Sequence, residues 1–162
     1  MSAYKKILIA VDVCDDYQEV IKKAMKLADD PEWLHVVHVV EPIYYPENYI
    51  GGTAIDFQEK TVEFAKSELD EIATKHAIPP ANRHILIGKA ATCIHVFSEE
   101  NAIDLIIVGS HGKHGLQLLL GSTATAILHG AGGDILCSTE HPSSLFVFSI
   151  FYFSKSKAGG RQ

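Results

Sequence analysis

Five short runs rich in Ile, Val and Leu recur along the chain with helix-periodic stretches between them, and no other feature limits the fold as tightly. The runs are Tyr4 to Val11, Trp33 to Val40, His84 to Ile87, Ile103 to Val108 and Asp134 to Cys137. Between them apolar residues return every three or four positions, as in Val20, Ile21, Ala24, Leu27 and Ala28, and again in Val62, Ala65, Leu69, Ile72 and Ala73. The other face of that second helix carries Glu59, Lys60, Glu63, Lys66, Asp70 and Glu71, a solvated face. Two more helices are predicted, over about Ala90 to Glu100 (burying Ile94 and Phe97) and about Leu120 to His129 (burying Ala124, Ile127 and Leu128). Strand alternating with helix is the pattern of a parallel α/β sheet covered on both faces, because each parallel connection has to cross the sheet. Ile7-Leu8-Ile9-Ala10-Val11 and Leu105-Ile106-Ile107-Val108 are apolar without a break, as strands buried on both faces require, and are predicted to lie in the middle.

The chain has 162 residues, enough for one well-buried domain and too few for two ordinary ones. That domain is predicted over residues 1–140, with an atypical tail, apolar and then basic, over 141–162. The formal net charge is −6 and no Lys/Arg cluster is present, which argues against nucleic acid as a partner. Cys14, Cys93 and Cys137 are widely spaced and odd in number, which suits a reducing, cytoplasmic setting without a structural zinc. The apolar run after the N-terminal lysines, Ile7 to Val11, is shorter than a signal-peptide core, so no export signal is expected. The most apolar stretch, Leu145 to Phe153, is about half of the roughly 20 residues that span a bilayer as a helix, so no membrane partner is expected.

In an open parallel sheet, ligands sit beyond the carboxyl ends of the strands, where the strand order reverses. If the first and fourth strands are neighbours, that crevice lies between Val11-Asp12 and the segment after Val108, Gly109-Ser110-His111-Gly112-Lys113-His114-Gly115, which leads to Gly121-Ser122-Thr123. Glycines let backbone amides approach phosphate oxygens, and Ser122 and Thr123 near a helix start add hydroxyl donors. Each part also has a plain reading. Glycine after a strand serves turn geometry alone. His111 and His114 lack the carboxylate or cysteine company of a metal site and read as phosphate donors or exposed side chains. Lys113 reads as a point charge for phosphate or as a surface lysine, and Asp12 as a ribose or phosphate contact or as a helix N-cap. The segment Glu41 to Thr53, with two prolines, two glycines and three tyrosines, is a long loop that either lines the site or merely connects.

Lys5-Lys6-Ile7-Leu8-Ile9-Ala10-Val11-Asp12, His38-Val39 at the end of the second strand, and Val108-Gly109-Ser110-His111-Gly112 followed by Gly121-Ser122 resemble the universal stress protein (UspA-like) family over about residues 3 to 136. The resemblance implies a single adenine nucleotide alpha hydrolase-like domain, with a five-stranded open parallel sheet in the order 3-2-1-4-5. It also implies a homodimer through the last strand. One branch of that family binds ATP through G-x2-G-x9-G-(S/T). By that match Gly109, Gly112, Gly121 and Ser122 hold the phosphates, Asp12 contacts the ribose or phosphate region and Val39 contacts adenine. Ala10, Val108, His111, Lys113 and Thr123 complete the expected adenine nucleotide site. Here eight residues separate Gly112 from Gly121 where the pattern has nine.

The resemblance stops near Cys137. The family's last strand gives way to Ser138-Thr139-Glu140-His141-Pro142, and the β-prone, uncharged Leu145 to Phe153 matches nothing in the family. An added strand, a subunit contact and an aggregation-prone segment all suit it. The functional expectation is ATP, with or without Mg2+, as a regulatory ligand rather than a fast-turnover substrate, since Asp12 is the only carboxylate expected near the phosphates and no Walker lysine or GxSxG elbow is present. Two alternatives stand beside it: slow ATP hydrolysis assisted by His111 or His114 with magnesium, and a nucleotide-independent stress-response module acting through its dimer edge or tail.

Overall fold

The computed structural model describes residues 3–42, 53–109, 121–130 and 132–138. Within them strand and helix alternate from end to end: β1 (Ile7–Ala10), α1 (Gln18–Leu27), β2 (Leu34–Val40), α2 (Thr53–Lys75), β3 (Arg83–Ile87), α3 (Ala90–Glu100), β4 (Leu105–Gly109), α4 (Ser122–Gly130) and β5 (Asp134–Ser138). The strands form one sheet in the order β3-β2-β1-β4-β5, every pair parallel. β1 and β4 are interior strands, as their unbroken apolar runs require. Ile9 lies opposite both Val36 and Ile107, and all three are fully buried.

Because side chains alternate across a strand, β1 feeds two cores. Ile7 and Ile9 join Val20, Ile21 and Ala24 of α1 and Ala65, Leu69, Ile72 and Ala73 of α2 on one face. Leu8 joins Ile94 of α3 and Ala124 and Ile127 of α4 on the other. Val62, Phe97 and Leu128, expected in these stripes, pack against the cores while only partly buried.

Several boundaries differ from expectation by one to three residues, β4 for instance running over Leu105–Gly109 instead of Ile103 to Val108, and two of the shifts have a plain local reason. β1 starts at Ile7 rather than Tyr4, because the amides of Lys5 and Lys6 donate to the Asp104 carboxylate at 2.9 Å each and so leave the ladder. α4 starts at Ser122 rather than Leu120. Gly121 is its cap, its carbonyl accepting from Thr125 N at 2.9 Å. Helix α4 is fastened to α3 by the His95 ring, whose Nε2 donates to Ile127 O at 2.8 Å. A Cβ at Gly130 would fall on that ring, so the close approach of the two helices needs a residue without a side chain there.

Helices α2 and α3 both end in a Schellman arrangement, with Ile78 N donating to Ala73 O and Ile103 N to Ser98 O, each at 2.9 Å. The left-handed residue in each is an alanine, Ala77 (φ 56°) and Ala102 (φ 51°), where glycine carries no Cβ penalty. Across the β2–β3 pair, His35 Nδ1 and His84 Nε2 lie 3.2 Å apart. Their centroids are 5.5 Å apart with planes 15° from parallel, so the rings meet edge to edge along an N–H···N bond instead of lying one over the other. Both are half-buried, and His84 also touches Phe97. Burial, with His35 alongside, pushes the His84 pKa down to about 4. Burial, and then Lys6, lowers that of His35. Among the described residues no helix is long and apolar enough to cross a membrane. The three cysteines are free thiols. The tail expected over 141–162 lies outside the described residues.

Two features set expectations for stability. Ala77→Gly and Ala102→Gly are each expected to raise it by about 0.5–1 kcal/mol, the relieved left-handed penalty less the extra backbone entropy of glycine; urea denaturation midpoints measure this, and a fall in both variants would contradict it. The histidine pair resists protonation when folded, so the unfolded chain binds protons that the native state refuses. Its contribution is intact above about pH 6.5 and drains as pH falls toward about 4, by on the order of 1–2 kcal/mol after allowing for partial exposure. His84→Leu should flatten that part of the stability profile relative to the parent chain. Parallel profiles would refute the assignment.

Candidate functional site

Parallel strands deliver all their carboxyl ends to one edge of the sheet. Chain order reverses at β1, since β1 leads to β2 on one side while β4 lies on the other. The connections after β1 and after β4 therefore depart in opposite directions, and a crevice opens between them. The structure has a cavity of about 660 Å3 at this place, within the size range of small-molecule and cofactor sites. Its floor is apolar: Ala10 from β1, Val37 and Val39 from β2, Val108 from β4 and Ile94 from α3.

One wall is the start of α4. Gly121, Ser122, Thr123 and Ala124 line the cavity. An α-helix leaves its first amides without intrahelical acceptors, and the first acceptor bond here is Thr125 N to Gly121 O, so among the described residues the amides of Ser122, Thr123 and Ala124 have no helical acceptor. They concentrate the positive end of the helix dipole, and the exposed hydroxyls of Ser122 and Thr123 stand beside them. Gly109 closes the gap from the end of β4. This wall donates.

The facing wall accepts. The turn after β1 and the start of α1 bring Asp12, Asp15, Asp16 and Tyr17 to the cavity, and Glu41 arrives from the end of β2. Asp12 was expected as the only carboxylate here, and the structure adds three. Each carboxylate is also a clamp on the backbone. Asp12 Oδ1 accepts from Cys14 N at 3.0 Å, Asp15 Oδ1 from Asp16 N at 2.8 Å, Asp16 Oδ1 from Gln18 N at 3.0 Å and Glu41 Oε1 from Ala90 N at 3.4 Å. Asp12 thus fixes a turn and is not the cap of α1, whose N-cap residue is Tyr17. A carboxylate has four lone-pair directions, so a bond to one amide leaves capacity for a ligand hydroxyl. His38 lines the cavity too, its Nδ1 3.1 Å from Val11 O and 3.5 Å from Val13 N.

Of the residues expected from sequence, Ala10, Asp12, Val39, Val108, Gly109, Gly121, Ser122 and Thr123 come together around this one cavity. His111, Gly112 and Lys113, like His114 and all but the ends of the Glu41 to Thr53 loop, lie outside the described residues. Glu41 opens the loop expected either to line the site or merely to connect, and sequence reasoning missed Asp15, Asp16, Tyr17 and Ala90. Their only signal was position within a few residues of a strand end. Among the described residues no group of three His, Cys, Asp or Glu is placed to hold a metal.

The family model described as "Universal stress protein family" matches residues 3–138. Two curated relatives from Coxiella burnetii are each 38% identical to this chain. Universal stress protein A homolog 2 aligns over 84% of this chain and 95% of its own length, and homolog 1 over 82% and 94%. Among solved structures, hypothetical protein MJ0577 superposes with a TM-score of 0.70 at 24% identity, covering 86% of this chain and 99% of that one. Universal stress protein UspA from Lactobacillus plantarum superposes at 0.67 and 18%, covering 84% and 99%. At these identities the structural likeness concerns the fold.

Proposed function

The chain belongs to the universal stress protein family, and from that footing we propose that it binds an adenine nucleotide, ATP in the first instance, as a regulatory ligand. The observation that carries the reading is the opposition of two walls across one cavity: leftover helix amides and hydroxyls at Gly121–Ala124, and carboxylates from residue 12 onward. A nucleotide has the matching asymmetry. Phosphates take the donor wall at Gly109, Gly121, Ser122 and Thr123, ribose hydroxyls donate to Asp12, and the base lies over Ala10, Val39 and Val108. The volume suits a ligand of that size. His111, Gly112 and Lys113 complete the phosphate side in this reading.

Four carboxylates near a triphosphate repel it, and at this range salt screens little. ATP therefore binds with Mg2+, which offsets the charge, while AMP needs the ion less. A regulatory role fits better than turnover because the sequence carries no Walker lysine or GxSxG elbow to drive hydrolysis. A ligand across the crevice joins the turn after β1 to the start of α4, which the sheet alone leaves unconnected. The free thiols suit a reducing cytoplasm. β5, paired among the described residues with β4 alone, offers its outer edge to a second copy of the chain.

Equilibrium titration of nucleotide-stripped protein with ATP, ADP and GTP tests the proposal. ATP should bind well below millimolar and more tightly than GTP, and EDTA should weaken ATP more than AMP. Ser122→Ala should cost about tenfold in ATP affinity, about 1.4 kcal/mol, the worth of one hydrogen bond to a charged group. Millimolar or absent affinity for every nucleotide would defeat it.

A further inference from the structure

The wall that carries Asp12, Asp15 and Asp16 is a turn, and a turn at the end of a strand needs something to hold it. Its first residue, Val11, still belongs to the sheet, because Val11 N donates to Val37 O at 3.0 Å. Beyond it the ladder ends. His38 sits on β2 with its ring on the same side as Val36 and Val40, whose side chains are buried in the core under α1 and α2. From there Nδ1 reaches across to the departing turn, 3.1 Å from Val11 O. A carbonyl oxygen only accepts, so Nδ1 carries the proton in this bond. The second approach, Val13 N at 3.5 Å, is long and demands a bare Nδ1, so it gives way to the first.

Holding Val11 O fixes the plane of the Val11–Asp12 peptide, and with it the direction in which Asp12 leaves the sheet. Two bonds internal to the turn act only beyond that peptide: Cys14 N to Asp12 Oδ1 at 3.0 Å and Asp15 N to Asp12 O at 3.1 Å. They shape the turn but do not aim it. The His38 ring ties the turn to the neighbouring strand through a side-chain hydrogen bond, and it does so while lining the cavity itself.

We propose that His38 is a positioning residue of the candidate site: its Nδ1–H bond to Val11 O aims the carboxylate-bearing turn at the cavity and so sets the affinity for the ligand. The inference rests on the nucleotide reading above for the identity of that ligand. It predicts that the position of the donor on the side chain matters more than the presence of a polar group.

Two variants of the full chain separate these. Asn places its amide nitrogen near the place of Nδ1, and Gln near the place of Nε2. His38→Asn should keep the amides of Val13, Cys14 and Asp15 as protected from hydrogen exchange as in the parent, without nucleotide, and hold ATP affinity within about threefold. His38→Gln should speed exchange at those amides and weaken ATP by about three- to tenfold, the range of one net hydrogen bond. Far-UV circular dichroism and melting of both variants check the fold. Unchanged exchange in His38→Gln would show that the turn aims itself and would overturn the proposal. Equal losses in both variants would also overturn it, since ring volume and not the Nδ1 donor would then matter. Faster exchange with undiminished ATP binding would refute the link to the ligand. If the parent chain itself binds no nucleotide, the reading of the site falls and this role with it, an outcome told apart by the silence of the parent titration.

Discussion

Parallel pairing on both sides of β1 is the constraint from which the site follows. A strand hydrogen-bonded to β2 and β4 alike sends its continuation out at the same edge as theirs, and the reversal of chain order there keeps the two continuations apart. Nothing about the crevice needs special residues at this stage. It is the gap that the topology cannot fill, and the burial of Ile7, Leu8, Ile9 and Ile107 holds it open by making the two strands immovable.

Chemistry is then added by the segment each strand runs into. β4 leads, through residues outside the described set, to a helix whose first amides point at the gap, while β1 leads to a tight turn dense in aspartate. One side of the cavity is thereby a donor surface and the other an acceptor surface, separated by an apolar floor. That polarity is the observation on which the proposal of a nucleotide ligand rests. The fastening of α4 by the His95 bond to Ile127 O places the donor side, and the close contact at Gly130 leaves that helix little freedom to slide.

Much of this was legible in the residues. The continuous apolar runs at β1 and β4 identified the interior strands, and the helical stripes of α1 and α2 named the core residues nearly position for position, because burial on both faces leaves no polar alternative. The strand order came from family resemblance and not from periodicity, which carries no information on lateral neighbours. What escaped was set by contacts distant in sequence. Lys5 and Lys6 leave the strand for Asp104, nearly a hundred residues on. Asp15 and Asp16 stand just before α1 and Glu41 begins a loop, and nothing in their spacing links them. Only the side-by-side ends of β1 and β2 make them one wall. His38 appeared as a signature letter with no task until its ring was seen beside Val11 O.

The central claim is that helix amides and turn carboxylates face each other across one cavity in order to hold a nucleotide. A crystal structure of the chain grown with ATP and magnesium tests it most directly. The account predicts phosphate oxygens within hydrogen-bond distance of the Ser122 and Thr123 amides, and a ribose hydroxyl on Asp12. A cavity closed by the protein's own side chains, or a nucleotide bound elsewhere with this crevice empty, would contradict it.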